Sequence, residues 1–185
     1  MSNPSDWYQR IGIVTMLVMI LSGGYVYPES SEDAAWLQGI EYSNQGYYDE
    51  AITQFVKVIE LNPQNAEAYN NLATAFGLKG NFEEAIIGYT KAIEIKPDFA
   101  VAYYGRATAY GASGNLDAAL ADYNKAIEIN ARYGFAYADR AKVFYIKKEY
   151  EKSLADVNKA RELGVDVDSD VVEALQGISE LPETN

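Results

Sequence analysis

Gly80-Asn-Phe-Glu-Glu-Ala-Ile-Ile-Gly-Tyr-Thr-Lys-Ala-Ile-Glu-Ile-Lys-Pro97 decides the fold, because the stretch returns at a fixed offset of 34 residues. The upstream copy, Gly46 to Pro63, keeps Tyr48, Glu50, Ala51, Ile52, Phe55, Lys57, Ile59, Glu60 and Leu61 in register. The downstream copy, Gly114 to Ala131, keeps Asn115, Leu116, Ala119, Leu120, Tyr123, Lys125, Ala126, Ile127 and Glu128. A worn fourth copy retains Tyr150, Leu154, Lys159, Ala160 and Glu162. Self-similarity at this period marks an array of stacked units, each too small to bury its own apolar face. The units are 32–65, 66–99, 100–133 and 134–167.

Within a unit the apolar period is helical twice over. Tyr69, Leu72, Ala73 and Phe76 fall at i, i+3, i+4 and i+7 of a first helix spanning Ala66 to Lys79. Gly80-Asn81 breaks the pattern, and Ala85, Ile86, Tyr89, Ala92 and Ile93 resume it over Phe82 to Ile95. Pro97 ends the pair because it cannot continue a helix. Small residues recur where two helices must approach: Gly39, Ala73, Ala107 and Ala141 in first helices, and Ala51, Ala85, Ala119 and Ser153 in second helices.

These columns, Tyr69, Leu72-Ala73, Phe76, Ala85, Tyr89, Ala92 and Pro97, resemble the signature of the tetratricopeptide repeat family over residues 32 to 165. The resemblance implies an all-α right-handed solenoid of four helix-turn-helix units. Three departures carry expectations. Ala35 holds the leading aromatic column with Trp36 beside it, which turns Trp36 toward the groove. Ala131 replaces the closing Pro and Lys148 replaces a turn Gly, so those two turns are expected to be looser or helix-continuous. A cap over the last unit is expected at 168–181, with a capping box at Asp170 to Glu173 and a stripe of Val171, Val172, Leu175 and Ile178, followed by a tail at 182–185.

Charge and missing residue types exclude several functions. The formal charge of −12 argues against a nucleic-acid backbone as partner, which needs clustered Lys and Arg. With no Cys and no His, thiol nucleophiles, histidine bases and the commonest metal ligands are absent together. No metal, cofactor or small-molecule substrate is expected.

Before the array, a polar tail (1–10) leads through Arg10 into the apolar run Ile11 to Leu21, which extends to residue 27 and gives 17 residues, the lower limit for a membrane-spanning helix. Trp7, Tyr8, Tyr25 and Tyr27 stand where an aromatic belt forms, favouring a retained anchor. Ser22 and Gly24 are spaced like a signal-peptidase site, the alternative reading. No Lys or Arg follows until Lys57, so the positive-inside bias leaves the amino terminus cytoplasmic and the repeats, beyond a linker at 28–31, on the other side.

Two constellations stand out. Arg106 and Asp122 in the third unit recur as Arg140 and Asp156 in the fourth, where the second unit has Leu72 and Gly88. Substitutions that travel together suggest contact, and the pairs are expected to be bidentate structural ion pairs rather than catalytic groups. Acidic pairs such as Glu83-Glu84 sit at helix starts, where the helix dipole favours them. Asp166, Asp168 and Asp170 lack the Gly and distal Glu of a calcium loop.

The family resemblance implies binding on the concave face, through first-helix columns off the core stripe. Those columns hold Trp36, Leu37, Ile40 and Asn44, then Asn70, Asn71 and Thr74, then Tyr104 and Thr108, then Phe135, Asp139, Lys142 and Tyr145. The clamp by which some members hold a chaperone carboxylate terminus is not preserved: its columns hold Trp36, Ile40, Asn71, Val101 and Gly105, and only Asn71 matches. The groove is therefore expected to take an extended segment or helix of a protein partner by stacking, apolar contact and amide hydrogen bonds. In the competing reading, Trp36, Tyr104 and Tyr145 only pad the packing between units. Lys142, Lys147, Lys148, Lys152 and Lys159 crowd the fourth unit, either as a solvated face or as an anionic-partner site.

Overall fold

The computed structural model describes residues 30–179. The segment 11–27, the tail 1–10 and the tail 182–185 lie outside the described residues. Among those described, no helix is long and apolar enough to cross a membrane.

The described chain is helical throughout: α1 (Ser31–Asn44), α2 (Tyr48–Leu61), α3 (Ala66–Leu78), α4 (Phe82–Ile95), α5 (Ala100–Ala112), α6 (Leu116–Ile129), α7 (Gly134–Ile146), α8 (Tyr150–Glu162) and α9 (Ser169–Ser179). Consecutive helices pair as hairpins, α1 with α2 through α7 with α8, and each hairpin stacks on the next. First helices also touch the first helix of the following unit, α3 on α5 and α5 on α7, whereas second helices make no comparable contact with one another. First helices thus form the inner row of a curved stack and second helices the outer row.

Small side chains set the helix spacing. Ala73 and Ala85, Ala107 and Ala119, and Ala141 and Ser153 are fully buried. Ser153 donates its hydroxyl to the Ala141 carbonyl at 2.8 Å, which satisfies the one polar member of this column. Gly39 is required by Phe55, whose ring would lie 2.7 Å from an added Cβ.

The turn within each hairpin closes the same way every time. Gly80 adopts φ +83°, and Asn81 N–H reaches back to the Phe76 carbonyl at 2.9 Å. Lys148 does not loosen its turn, contrary to the expectation from its side chain. It adopts φ +61°, and Glu149 N–H bonds the Phe144 carbonyl at 2.9 Å as in the glycine turns. The backbone bonds outweigh the cost of a left-handed non-glycine residue, about 1–2 kcal/mol. The turn holding Ala131 is likewise unchanged, with Asn130 N–H to the Ala126 carbonyl at 2.9 Å where Lys96 N–H bonds Ala92 at 2.9 Å. Asn130 Oδ1 accepts from Arg132 N–H at 3.1 Å and so sets the bend without proline.

Helix α9 closes the array. Leu175, Val171, Val172 and Val167 pack on Ala141, Val157, Tyr145 and Tyr150. The cap starts two residues earlier than the expected capping box: Asp168 Oδ1 accepts from Asp170 N–H at 3.0 Å, so Asp168 takes the capping role assigned to Asp170.

Candidate functional site

The inner row brings the groove columns onto neighbouring helices α1, α3, α5 and α7, and the structure divides them into two groups. Leu37, Asn44, Thr74, Thr108 and Phe135 are exposed, and Phe135 presents 58% of its surface. The others are held by the protein itself. Trp36 does not stand free in the groove; it packs edge-on against Phe55 at 5.9 Å between ring centroids. Ile40 joins the same cluster. Trp36 is half-buried, packed also against the buried cluster of Ala35, Val58 and Ala68.

In the third and fourth units the groove side chains are linked. Tyr104 lies 5.0 Å from Tyr133 and 5.9 Å from Tyr123. Its hydroxyl donates to Asp139 Oδ2 at 2.7 Å, and Lys142 donates to Asp139 Oδ1 at 3.1 Å. Burial first, and then the Asp139 charge, push the Tyr104 phenol far above its ordinary range, so it stays a donor. Tyr145 lies tilted against Tyr150 at 5.8 Å between ring centroids. Tyr89 and Tyr123 fill the gaps between units, each meeting a groove threonine: Tyr89 the Thr74 hydroxyl at 3.0 Å and Tyr123 the Thr108 hydroxyl at 3.3 Å.

Asn70 differs from all of these. It is only 7% exposed. Its Nδ2 donates to Asn71 Oδ1 at 3.2 Å, yet its own Oδ1 is, among the described residues, the one buried side-chain nitrogen or oxygen with no hydrogen-bond partner. Such an acceptor costs about 1–3 kcal/mol unless something donates to it.

The two arginine–aspartate pairs lie between first and second helices. Arg106 donates through Nε and Nη2 to the two Asp122 oxygens at 2.7 and 2.9 Å. Arg140 does the same to Asp156 at 2.7 Å each. A third bond escaped the sequence reading. Arg106 Nη1 reaches back to Thr90 of the preceding unit at 2.9 Å, and Arg140 Nη1 to Asn124. The signal was in the register: the column reads Val56, Thr90, Asn124, apolar where the next unit carries Leu72 and polar where it carries Arg106 or Arg140. Each guanidinium also sits between two rings, Arg106 between Tyr103 and Tyr110 at 5.6 and 6.0 Å, and Arg140 between Tyr137 and Phe144 at 5.3 and 5.6 Å.

The lysines of the fourth unit are largely neutralised. Lys142 pairs with Asp139, Lys147 with Asp117, Lys152 with Glu149 and Lys159 with Glu162. Only Lys148 of that set lacks an acidic partner among the described residues, so no cluster of free cations forms. Nor do the described residues contain a group of acids able to hold a metal ion.

Comparison with known proteins agrees with this geometry. Two models described as tetratricopeptide repeat match, one over residues 39–80 and the other over 66–99 and 100–133, together 39–133 of the 185 residues. No curated protein sequence matches significantly. A crystal structure of MamA superposes with a TM-score of 0.67 at 28% identity, covering 74% of this chain and 80% of that one. The first repeat domain of Spaghetti (RPAP3), bound to the HSP90 peptide SRMEEVD, gives 0.62 at 25% identity over 66% of this chain and 97% of that one. The MamA fragment 41-end from Desulfovibrio magneticus RS-1 shares the fold, with a TM-score of 0.66 at 21% identity over 73% and 76%. With its repeats, their turns and their stacking all in register, the chain belongs to the tetratricopeptide repeat family.

Proposed function

We propose that this protein is a non-catalytic interaction scaffold, tethered to a membrane through residues 11–27, that holds a segment of a partner protein in the groove along its first helices. The observation that carries the groove reading is the set of exposed side chains that first helices bring to the inner row: Leu37, Asn44, Thr74, Thr108 and Phe135. Leu37 and Phe135 offer apolar contact at either end, and Asn44, Thr74 and Thr108 between them offer polar contact to an extended segment.

The neighbour's bound peptide ends in Glu-Glu-Val-Asp, but the cationic clamp columns here hold Trp36, Val101 and Gly105. A terminal carboxylate is therefore not what this groove recognises. The formal charge of −12 favours basic or neutral segments, and the anchor places the work at a membrane or envelope complex.

Site-specific photo-crosslinking in cells tests the reading. A crosslinker at Thr108 on the inner row is expected to capture one partner, and a crosslinker at Ala121, exposed on a second helix, to capture none. Equal capture from both, or self-adducts alone, would point instead to a self-associating structural subunit. Membrane fractionation with protease protection and intact mass tests the tether. Full-length protein in the membrane with shielded repeats supports it, a mass beginning near Tyr25 means the segment is cleaved, and cytoplasmic repeats overturn the orientation.

A further inference from the structure

The second unit has a slot that the third and fourth units have filled. Tyr69 and Phe76 occupy the columns of Tyr103 and Tyr110, the rings that flank Arg106. Between them stands Leu72 instead of arginine, and across from it Gly88 instead of aspartate. The result is an apolar depression of about 370 Å³ between α3 and α4, lined also by Glu84 and Ile87. The protein cannot close it with a side chain at position 88, because a Cβ there would stand 2.8 Å from that of Ala73.

The rim is acidic, as it is at Glu50 in the first unit and is not in the two units whose slots hold arginine. The column of Glu84 reads Ala118 in the third unit and Lys152 in the fourth. Glu84 and Glu83 are exposed and form no ion pair among the described residues, while Lys91 on the other wall is taken by Glu94 at 3.0 Å.

We propose that this slot receives an arginine side chain from a protein partner, reproducing between molecules the plug that Arg106 and Arg140 make within the array. The aliphatic stem lies over Leu72 and Ile87, and the guanidinium rests between the faces of Tyr69 and Phe76. Glu84 accepts its outer N–H groups, as Asp122 and Asp156 do for the internal arginines. The strongly acidic chain draws such a partner in. The slot is separate from the groove: it opens between a first and a second helix, whereas the groove runs along the first helices alone.

Nuclear magnetic resonance titration of the full chain in detergent micelles tests this, using acetyl-Gly-Arg-Gly-amide and matched peptides with citrulline or norleucine in place of arginine. The arginine peptide is expected to shift the Gly88 amide and Ile87 methyl signals saturably at millimolar concentration, with the two controls at least about fivefold weaker. Glu84→Gln is expected to weaken the arginine peptide about threefold to fivefold, the scale of one exposed ion pair. Equal or tighter binding of norleucine would overturn the proposal in favour of an apolar anchor. Shifts confined to Thr108 and Phe135 would assign the peptide to the groove, and no shift up to about 20 mM would leave no site at all. Shifts on dilution without peptide would show that a second copy covers the slot.

Discussion

Replacing Arg106 by leucine isolates the contribution of one buried ion pair, because the protein contains its own control in Leu72 and Gly88. Asp122 is 7% exposed and takes both of its strong bonds from Arg106, at 2.7 and 2.9 Å. Arg106→Leu leaves that carboxylate buried and unpaired, and is expected to cost about 3–5 kcal/mol. For a chain of this size that lowers the melting midpoint by about 6–20 °C, at roughly 2–4 °C per kcal/mol. The double variant R106L/D122G copies the second unit. It is expected to end within about 2 kcal/mol of the parent, half of the loss being the cost of glycine inside a helix. Urea unfolding followed by circular dichroism, on parent, both single variants and the double, gives the coupling energy directly. A loss below about 1 kcal/mol for R106L, or a double variant no better than R106L, would refute the claim that burial makes the unpaired aspartate costly.

Three further outcomes follow from particular contacts. Lys148→Gly relieves a left-handed lysine at φ +61° and is expected to stabilise the fold by about 1 kcal/mol in thermal melts; no gain would mean that the turn carries no strain. Gly105→Ala puts a methyl group 2.4 Å from the Tyr89 ring and is expected to cost about 1–3 kcal/mol by the same assay, against little effect for exposed Gly177→Ala, where nothing lies within 4 Å. Burial raises the phenol pKa of Tyr89, Tyr104, Tyr123 and Tyr133 above the ordinary value. Their contribution to stability is complete below about pH 10 and declines as pH climbs toward the folded-state values. Absorbance titration is expected to show these phenols ionising late, together with unfolding. A single reversible transition near the ordinary value would contradict their burial.

The repeat period made most of the architecture legible, since each helix and turn could be read from four imperfect copies rather than one. Arg106 with Asp122 was readable because both ends of the pair change together from unit to unit. Trp36 was expected to stand in the groove, but its contact with Phe55, 19 positions away in the next helix, has no counterpart in the other units from which it could be read. The Lys148 turn was misjudged because side-chain preference was weighed without the backbone bonds that enforce the conformation. Tyr104 and Asp139, 35 positions apart, and the unsatisfied Asn70 oxygen left no periodic trace, because each occurs in one unit only.

The reach of Arg106 back to Thr90 and of Arg140 back to Asn124 bears on how the array deforms. Each arginine spans three helices, so the second, third and fourth units are laced through their outer row, whereas Val56 and Leu72 leave the junction of the first two units without a lace. A load that opens or tightens the curvature therefore meets a half-buried guanidinium at the second and third junctions, and at the first only the packing of α2 on α3 and the exposed Lys79–Asp49 pair.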